Sequence, residues 1–350
     1  MTERVRCAVL GLGRLGYYHA KNLKTEVPGV LLAAVADPAE GRAREIAAEL
    51  GVEKWFEDPF ECLHDPEIDA VVIVTPTSTH AKVIKQAAEC GKQIFVEKPL
   101  TLNLEESIEV ISKVKETGVI CQVGFMRRFD PAYADAKRRI DAGEIGKPIY
   151  YKGFTRDFGS PPAEFIKKSG GIFVDCSIHD YDIARYLMGA EITSVSGHGR
   201  VLKHAFMPGC HDVDQALTYM EFDSGAAGDA EASRNSSYGH DIRAEIIGTD
   251  GSIFIGTLRN PAVTVRTGQG SSYNIIPDFQ ARFHEAYCLE MQHFAKCVRN
   301  KTKPIVTEVD AAVNLEIALA ASESWSTGKT VKIRIRRNSL RYETGLINGL

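Results

Sequence analysis

Short apolar runs alternate with amphipathic stretches through the first 125 positions. Val5 to Leu10, Val30 to Ala36, Ala70 to Val74, Gln93 to Val96 and Val119 to Val123 are strand-sized. Helical spacing fills residues 14 to 25, 40 to 50, 79 to 90 and 103 to 117. Apolar strands separated by helices mark a parallel sheet covered on both faces. Asp58-Pro59 and Asp65-Pro66 signal turns in a less regular connection before Ala70.

After about residue 145 the pattern changes to longer alternating segments with hairpin signals at Asp223-Ser224-Gly225 and Thr249-Asp250-Gly251. It predicts an open, mainly antiparallel sheet from segments near 148 to 156, 192 to 203, 212 to 223, 227 to 235, 241 to 248, 252 to 256 and 262 to 266. One helix is expected near 172 to 188, two more near 280 to 299 and 308 to 327, and a last strand near 330 to 335. The expected organisation is α/β: a doubly wound Rossmann domain over 1–125, an α+β substrate-binding and oligomerisation domain over 126–335, and a tail over 336–350. The late helices can pack back on the first domain. A broad sheet face with no obvious cover suggests burial against another copy, as a homodimer or homotetramer.

The connection after the first strand carries chemistry. Gly11-Leu12-Gly13-Arg14-Leu15-Gly16 stands between that strand and a helix, and Asp37 closes the second strand. In such a turn the first glycine bends the chain, the second lets backbone approach a pyrophosphate and the third lets the helix press on the sheet. The helix N-terminus then faces the phosphates with N–H groups and a positive dipole end. Asp37 can accept hydrogen bonds from a ribose diol and would repel a 2′-phosphate, so NAD is expected over NADP. Arg42 and Arg44 lie close enough in sequence to soften that preference.

Two further elements suit hydride transfer. Glu97-Lys98-Pro99 follows a strand directly, and ligands of doubly wound sheets bind outside the carboxyl ends of strands. Proline restricts the preceding backbone and can itself be cis, which would fix the Lys98 ammonium. Asp175-Cys176-Ser177-Ile178-His179, followed by Asp182, reads as one helix face carrying an imidazole with a carboxylate one turn away. Imidazole has the proton affinity to take up a hydroxyl proton. His204, Cys210 and His211 match no standard ligand spacing, and no metal is expected.

Bulk numbers narrow the partners. The 350 residues exceed one core, and 42 basic against 46 acidic side chains leave a net charge of −4. Nucleic acid and anionic membrane are therefore not expected. The longest apolar runs fall far short of a bilayer span, and with the first strand beginning at Val5 no signal peptide is expected. Eight scattered cysteines fit reduced thiols in the cytoplasm.

The glycine motif, Asp37, Glu97-Lys98-Pro99, Gly124-Phe125-Met126-Arg127-Arg128-Phe129-Asp130 and the Asp175/His179 segment resemble the glucose-fructose oxidoreductase, inositol dehydrogenase and MocA family over residues 4 to about 335. Within it the chain looks most like the inositol 2-dehydrogenases, which oxidise a cyclitol hydroxyl to a ketone with NAD. The resemblance implies that Lys98 hydrogen-bonds the reacting oxygen, His179 removes its proton and Asp175 tunes and orients them. The cofactor site would comprise Gly11, Gly13, Arg14, Leu15, Gly16, Asp37, Thr75, Pro76, His80, Glu97 and Lys98. The polyol would meet Lys98, Met126, Arg127, Asp157, Asp175, Cys176, His179, Asp182 and Tyr238, with Arg156, Ser237 and His240 close in sequence. Arg127 suits either paired hydrogen bonds to hydroxyls or a structural salt bridge. A dehydrogenase of a hexose or glucoside and a non-catalytic dinucleotide sensor stay open as alternatives.

Overall fold

The computed structural model describes residues 4–256 and 259–334, so the expected tail at 336–350 lies outside the described residues. The chain divides into two compact units: the stretch through Phe129 together with Glu285–Leu315, and Asp130–His284 together with the chain from Glu316.

The first unit holds a six-stranded parallel sheet of β1 (Val5–Leu10), β2 (Val30–Ala36), β3 (Lys54–Phe56), β4 (Ala70–Ile73), β5 (Gln93–Glu97) and β6 (Cys121–Gly124), in the order β3-β2-β1-β4-β5-β6. Helices α1 (Arg14–Thr25), α2 (Arg42–Leu50), α3 (Pro59–Leu63), α4 (Thr77–Glu89) and α5 (Leu104–Thr117) connect the strands. The sheet reverses direction of winding between β1 and β4, which opens a crevice at the carboxyl ends of those strands. Val9 and Val35 are paired across β1 and β2, and Val9 and Val72 across β1 and β4. All three side chains are fully buried, in one cluster with Phe95 and with Met291, Phe294 and Ala295 of the late helix. β3 and α3 occupy the irregular connection, where Asp58 caps α3 by accepting the Phe60 N–H at 2.8 Å.

The second unit is built on β7 (Pro148–Arg156), β8 (Ile192–Arg200), β9 (Gln215–Phe222), β10 (Ala227–Ser233), β11 (Asp241–Gly248), β12 (Ser252–Ile255) and β15 (Val331–Lys332), ordered β12-β11-β7-β10-β9-β8-β15. The pairing is antiparallel except between β7 and β10. The segment expected near 262 to 266 does not join this sheet. It belongs to β13 (Arg259–Thr267), which pairs with β14 (Gly270–Ile275) as a separate hairpin and leaves Val263 and Val265 exposed. Local closure through Gly268 and Gly270 satisfies its backbone without the large sheet.

The helix expected over 172 to 188 is also corrected. It is two helices, α8 (Gly171–Asp175) and α9 (Ile178–Met188), after α6 (Pro131–Asp141) and α7 (Ala163–Ser169), which the pattern had not disclosed. The N–H groups of Cys176 and Ser177 both close on the Ile172 carbonyl at 3.0 Å, ending α8, and Ser177 starts a new helix. Asp175 and His179 therefore stand on consecutive helices rather than one face of a single helix. Two long helices, α10 (Phe279–Asn300) and α11 (Glu308–Thr327), stand between β14 and β15.

Candidate active site

Each glycine of the first-unit turn answers a different demand. Gly11 sits at φ +90°, and a Cβ there would lie 2.7 Å from the Val74 carbonyl oxygen. At Gly16 a Cβ would lie 1.8 Å from the Gly11 oxygen, so only glycine lets α1 come this close to the turn. Gly13 faces open space, with nothing within 4 Å of the place a Cβ would take. No side chain caps α1 at Gly13, so its first turn presents backbone N–H groups to an anion. Asp37 is fixed beside this turn: its carboxylate accepts the Leu12 N–H at 2.6 Å and the Ala39 N–H at 2.9 Å. Arg42 donates to the Leu12 carbonyl at 3.3 Å and pairs with Glu45, while Arg44 is exposed. A turn open at Gly13, with an acid held at its flank, fits a dinucleotide.

Thr75 and Pro76 link β4 to α4, and the Thr79 hydroxyl reaches that of Thr75 at 2.7 Å. His80 is buried, its ring nitrogens 2.9 Å from the Thr75 carbonyl and 3.0 Å from the Pro99 carbonyl. It ties the loop after β4 to the loop after β5, and burial pulls its pKa below the usual imidazole value. Its position is that of a loop brace.

Lys98 follows β5 and is half-buried, and the Lys98–Pro99 bond is cis. The preceding Glu97 is buried, accepts the Lys98 N–H at 3.2 Å and lies 2.7 Å from His19 Nε2 of α1. Met126 and Arg127 lie in a short 3-10 turn and are both buried.

The second unit gathers a dense polar cluster. Asp175 accepts from Arg234 Nη2 at 3.2 Å. Cys176 Sγ is 3.6 Å from Asp157 and 3.9 Å from Asp175, and Asp157 lies 3.3 Å from His240 Nδ1. Burial raises the Asp157 pKa, but the His240 contact and the charges of His240 and Arg234 outweigh it and hold the carboxyl below its ordinary range. His179, in the first turn of α9, and Asp182 are both buried. Asp180 anchors α9 to the inner face of the sheet, accepting from Thr155 at 2.5 Å and Tyr151 at 3.4 Å. The cluster thus holds Asp157, Asp175, Cys176 and His240.

Tyr238 and Arg156 stand elsewhere. Tyr238 is exposed and donates to Asp241 at 3.0 Å, and Arg156 makes paired bonds to Glu231 at 2.9 and 2.6 Å on the outward side of β7. Ser237 is exposed in the same loop, whereas His204 Nε2 is 3.2 Å from the Arg234 carbonyl and Cys210 Sγ is 3.8 Å from that of Ala163.

Residues 5–125 match the NAD-binding Rossmann fold of an oxidoreductase family, and residues 137–333 match that family's C-terminal alpha/beta domain. This chain belongs to the glucose-fructose oxidoreductase, inositol dehydrogenase and MocA family. It is 74% identical over 337 residues to the scyllo-inositol 2-dehydrogenase (NAD(+)) of Bacillus subtilis, covering 96% of this chain and 98% of that protein. It is 38% identical to the myo-inositol 2-dehydrogenase of Thermotoga maritima, covering 94% and 98% respectively. A crystal structure of scyllo-inositol dehydrogenase from Lactobacillus casei, with bound NAD(H) and scyllo-inositol, matches with a TM-score of 0.89 at 30% identity, covering 95% of this chain and 99% of that one.

Sequence reasoning missed His19, Asp180, Asp212 and Arg234. The signal for Arg234 was present. Gly228, Ala230 and Ala232 form the inward phase of β10, and Arg234 continues it, so a charge stood at a core position and required partners.

Proposed function

We propose that this protein is an NAD-dependent inositol 2-dehydrogenase that converts a secondary hydroxyl of scyllo-inositol to the ketone. The observation that carries this reading is the 74% identity, across nearly the full chain, to a relative named for that activity. The glycine turn and Asp37 suit the dinucleotide, and Lys98, Asp175 and His179 are the groups assigned to the reacting hydroxyl. Bound NAD supplies the hydride acceptor. His179 accepts the hydroxyl proton, Lys98 stabilises the developing alkoxide and Asp175 orients the imidazole, so the alcohol loses one proton to protein and one hydride to cofactor.

Lys98→Met and His179→Asn should each lower kcat about a thousandfold while NADH affinity, read by fluorescence, is kept. Unchanged turnover on both scyllo- and myo-inositol would overturn the reading. Turnover of myo-inositol alone would overturn the assigned isomer.

Self-association fits the outward face of the large sheet, where Leu217, Tyr219 and Ile247 are exposed beside the Arg156–Glu231 pair. Light scattering should give a homodimer or homotetramer, and Leu217→Asp should reduce its mass; a monomeric parent refutes this. Cytoplasmic residence fits the eight cysteines, none of which forms a disulfide.

A further inference from the structure

Arg234 is fully buried at the end of β10. Its Nη2 donates to Asp175 Oδ2 at 3.2 Å and lies 3.9 Å from Asp212 Oδ2. Nε and Nη1 of Arg234 are also buried, with no hydrogen-bond partner among the described residues. A fixed guanidinium this deep keeps its charge, so the group it can hold is an anion. Two carboxylates lie in direct reach, and they differ. Asp212 is committed to the fold: its Oδ1 accepts the Ile172 N–H at 3.0 Å, holding the start of α8, and burial pushes its pKa above the ordinary range. Asp175 ends that same helix, immediately before the break that leads to His179.

We propose that Arg234 is the positioning residue of the proton-transfer pair, its buried guanidinium clamping the Asp175 carboxylate against the end of α8. The proposal rests on the reading of Asp175 and His179 given above. The break after Asp175 removes the helical scaffold that would otherwise hold it in register with His179, so its geometry needs another fixed point. Arg234 supplies that point from β10, while Asp212 fixes the other end of α8. The charged and titratable groups around the clamp are Asp175 and Cys176 at the helix break, Asp212 before β9, Asp157 after β7 and His240 before β11. Three of these are carboxylates, so loss of the arginine charge leaves a cluster of like charges without its buried counter-ion.

The test compares Arg234→Gln, Arg234→Lys, Asp175→Asn and the Arg234→Gln/Asp175→Asn pair, assayed as full-length protein with NAD and scyllo-inositol. Arg234→Gln should lower kcat about a hundredfold with KM for NAD unchanged, and should move the acid limb of the kcat/KM profile upward by about one pH unit. Arg234→Lys, which keeps the charge but not the planar fork, should leave the acid limb in place and recover part of kcat. The double variant should be no slower than Asp175→Asn alone, since both changes act through one carboxylate. If the acid limb stays put in Arg234→Gln and its loss multiplies with that of Asp175→Asn, Arg234 acts elsewhere and the proposal is wrong. Full turnover in Asp175→Asn would instead remove the catalytic reading of Asp175, and this proposal with it.

Discussion

His19 Nε2 lies 2.7 Å from Glu97 Oε1 with both side chains buried, so the helix that follows the glycine turn is tied to the residue directly before Lys98. Phe95 and Tyr287 set their ring edges against the imidazole at 5.6 and 5.5 Å, and Gly124 closes over the carboxylate, where a Cβ would lie 2.8 Å from Glu97 Oε2. His19→Ala would leave Glu97 Oε1 buried without its partner, with only the Lys98 N–H remaining at Oε2. Leaving a buried acceptor without its hydrogen-bond partner costs about 1–3 kcal/mol. His19→Gln keeps a donor and should recover most of the loss. Thermal melting of the two variants checks this, and equal melting temperatures for parent and His19→Ala would refute it.

The Asp37 carboxylate is pre-set by two backbone N–H groups, which makes it a rigid acceptor for a ribose diol and a fixed repulsive charge toward a 2′-phosphate. Asp37→Ser should cut kcat/KM for NAD by roughly tenfold or more, the size of a lost hydrogen bond to a charged group. The NADP to NAD ratio of kcat/KM should rise at the same time, because Arg42 already stands at the Leu12 carbonyl and can turn to a phosphate. Steady-state rates with both cofactors decide the point; an unchanged ratio means Asp37 does not govern the choice.

The elements that read true from sequence are those where one periodicity dominates. β1 and β2 reveal themselves as short, nearly continuous apolar runs buried on both faces, and β9 through the strict alternation from Ala216 to Phe222. The glycine turn was legible because Gly11 and Gly16 answer local steric demands that a short motif encodes, while Gly13 leaves the turn open between them. The split between α8 and α9 was not legible, because it depends on which N–H groups capture the Ile172 carbonyl, and the residues from Gly171 to Met188 are nearly all buried, leaving no polar face to mark a boundary. The Arg234 clamp hid for a related reason. Its partner Asp175 is 59 residues away in sequence, and only the β10 alternation hinted that a charge pointed inward. His19 shares the inward stripe of α1 with Gly16, Ala20 and Leu23, and its contact with Glu97 spans 78 residues.

Glu308 opens α11, where burial pushes its carboxyl up to about 7, with Lys303 opposing and Asp310 adding to the rise. Neighbouring Thr307 and Asp310 are committed to capping: the Asp310 carboxylate accepts the Thr307 N–H at 3.1 Å and its hydroxyl at 3.0 Å. The folded protein therefore holds a proton on Glu308 that the unfolded chain releases near its ordinary carboxyl pKa. Between about pH 4.5 and 7 the native state binds more protons than the unfolded state, so this group's contribution weakens stability as pH rises through that window. Above it, the folded protein carries the cost of an ionised, half-buried carboxylate. Glu308→Gln removes the titration while keeping shape and hydrogen-bonding capacity. It should stabilise the protein at pH 8 by up to about 3 kcal/mol and by little near pH 4.5. Denaturant unfolding of parent and variant at the two pH values isolates the effect, because carboxylates remote from Glu308 titrate equally in both. A stability difference that is the same at pH 4.5 and pH 8 would show that Glu308 is already ionised in the folded protein across the whole range.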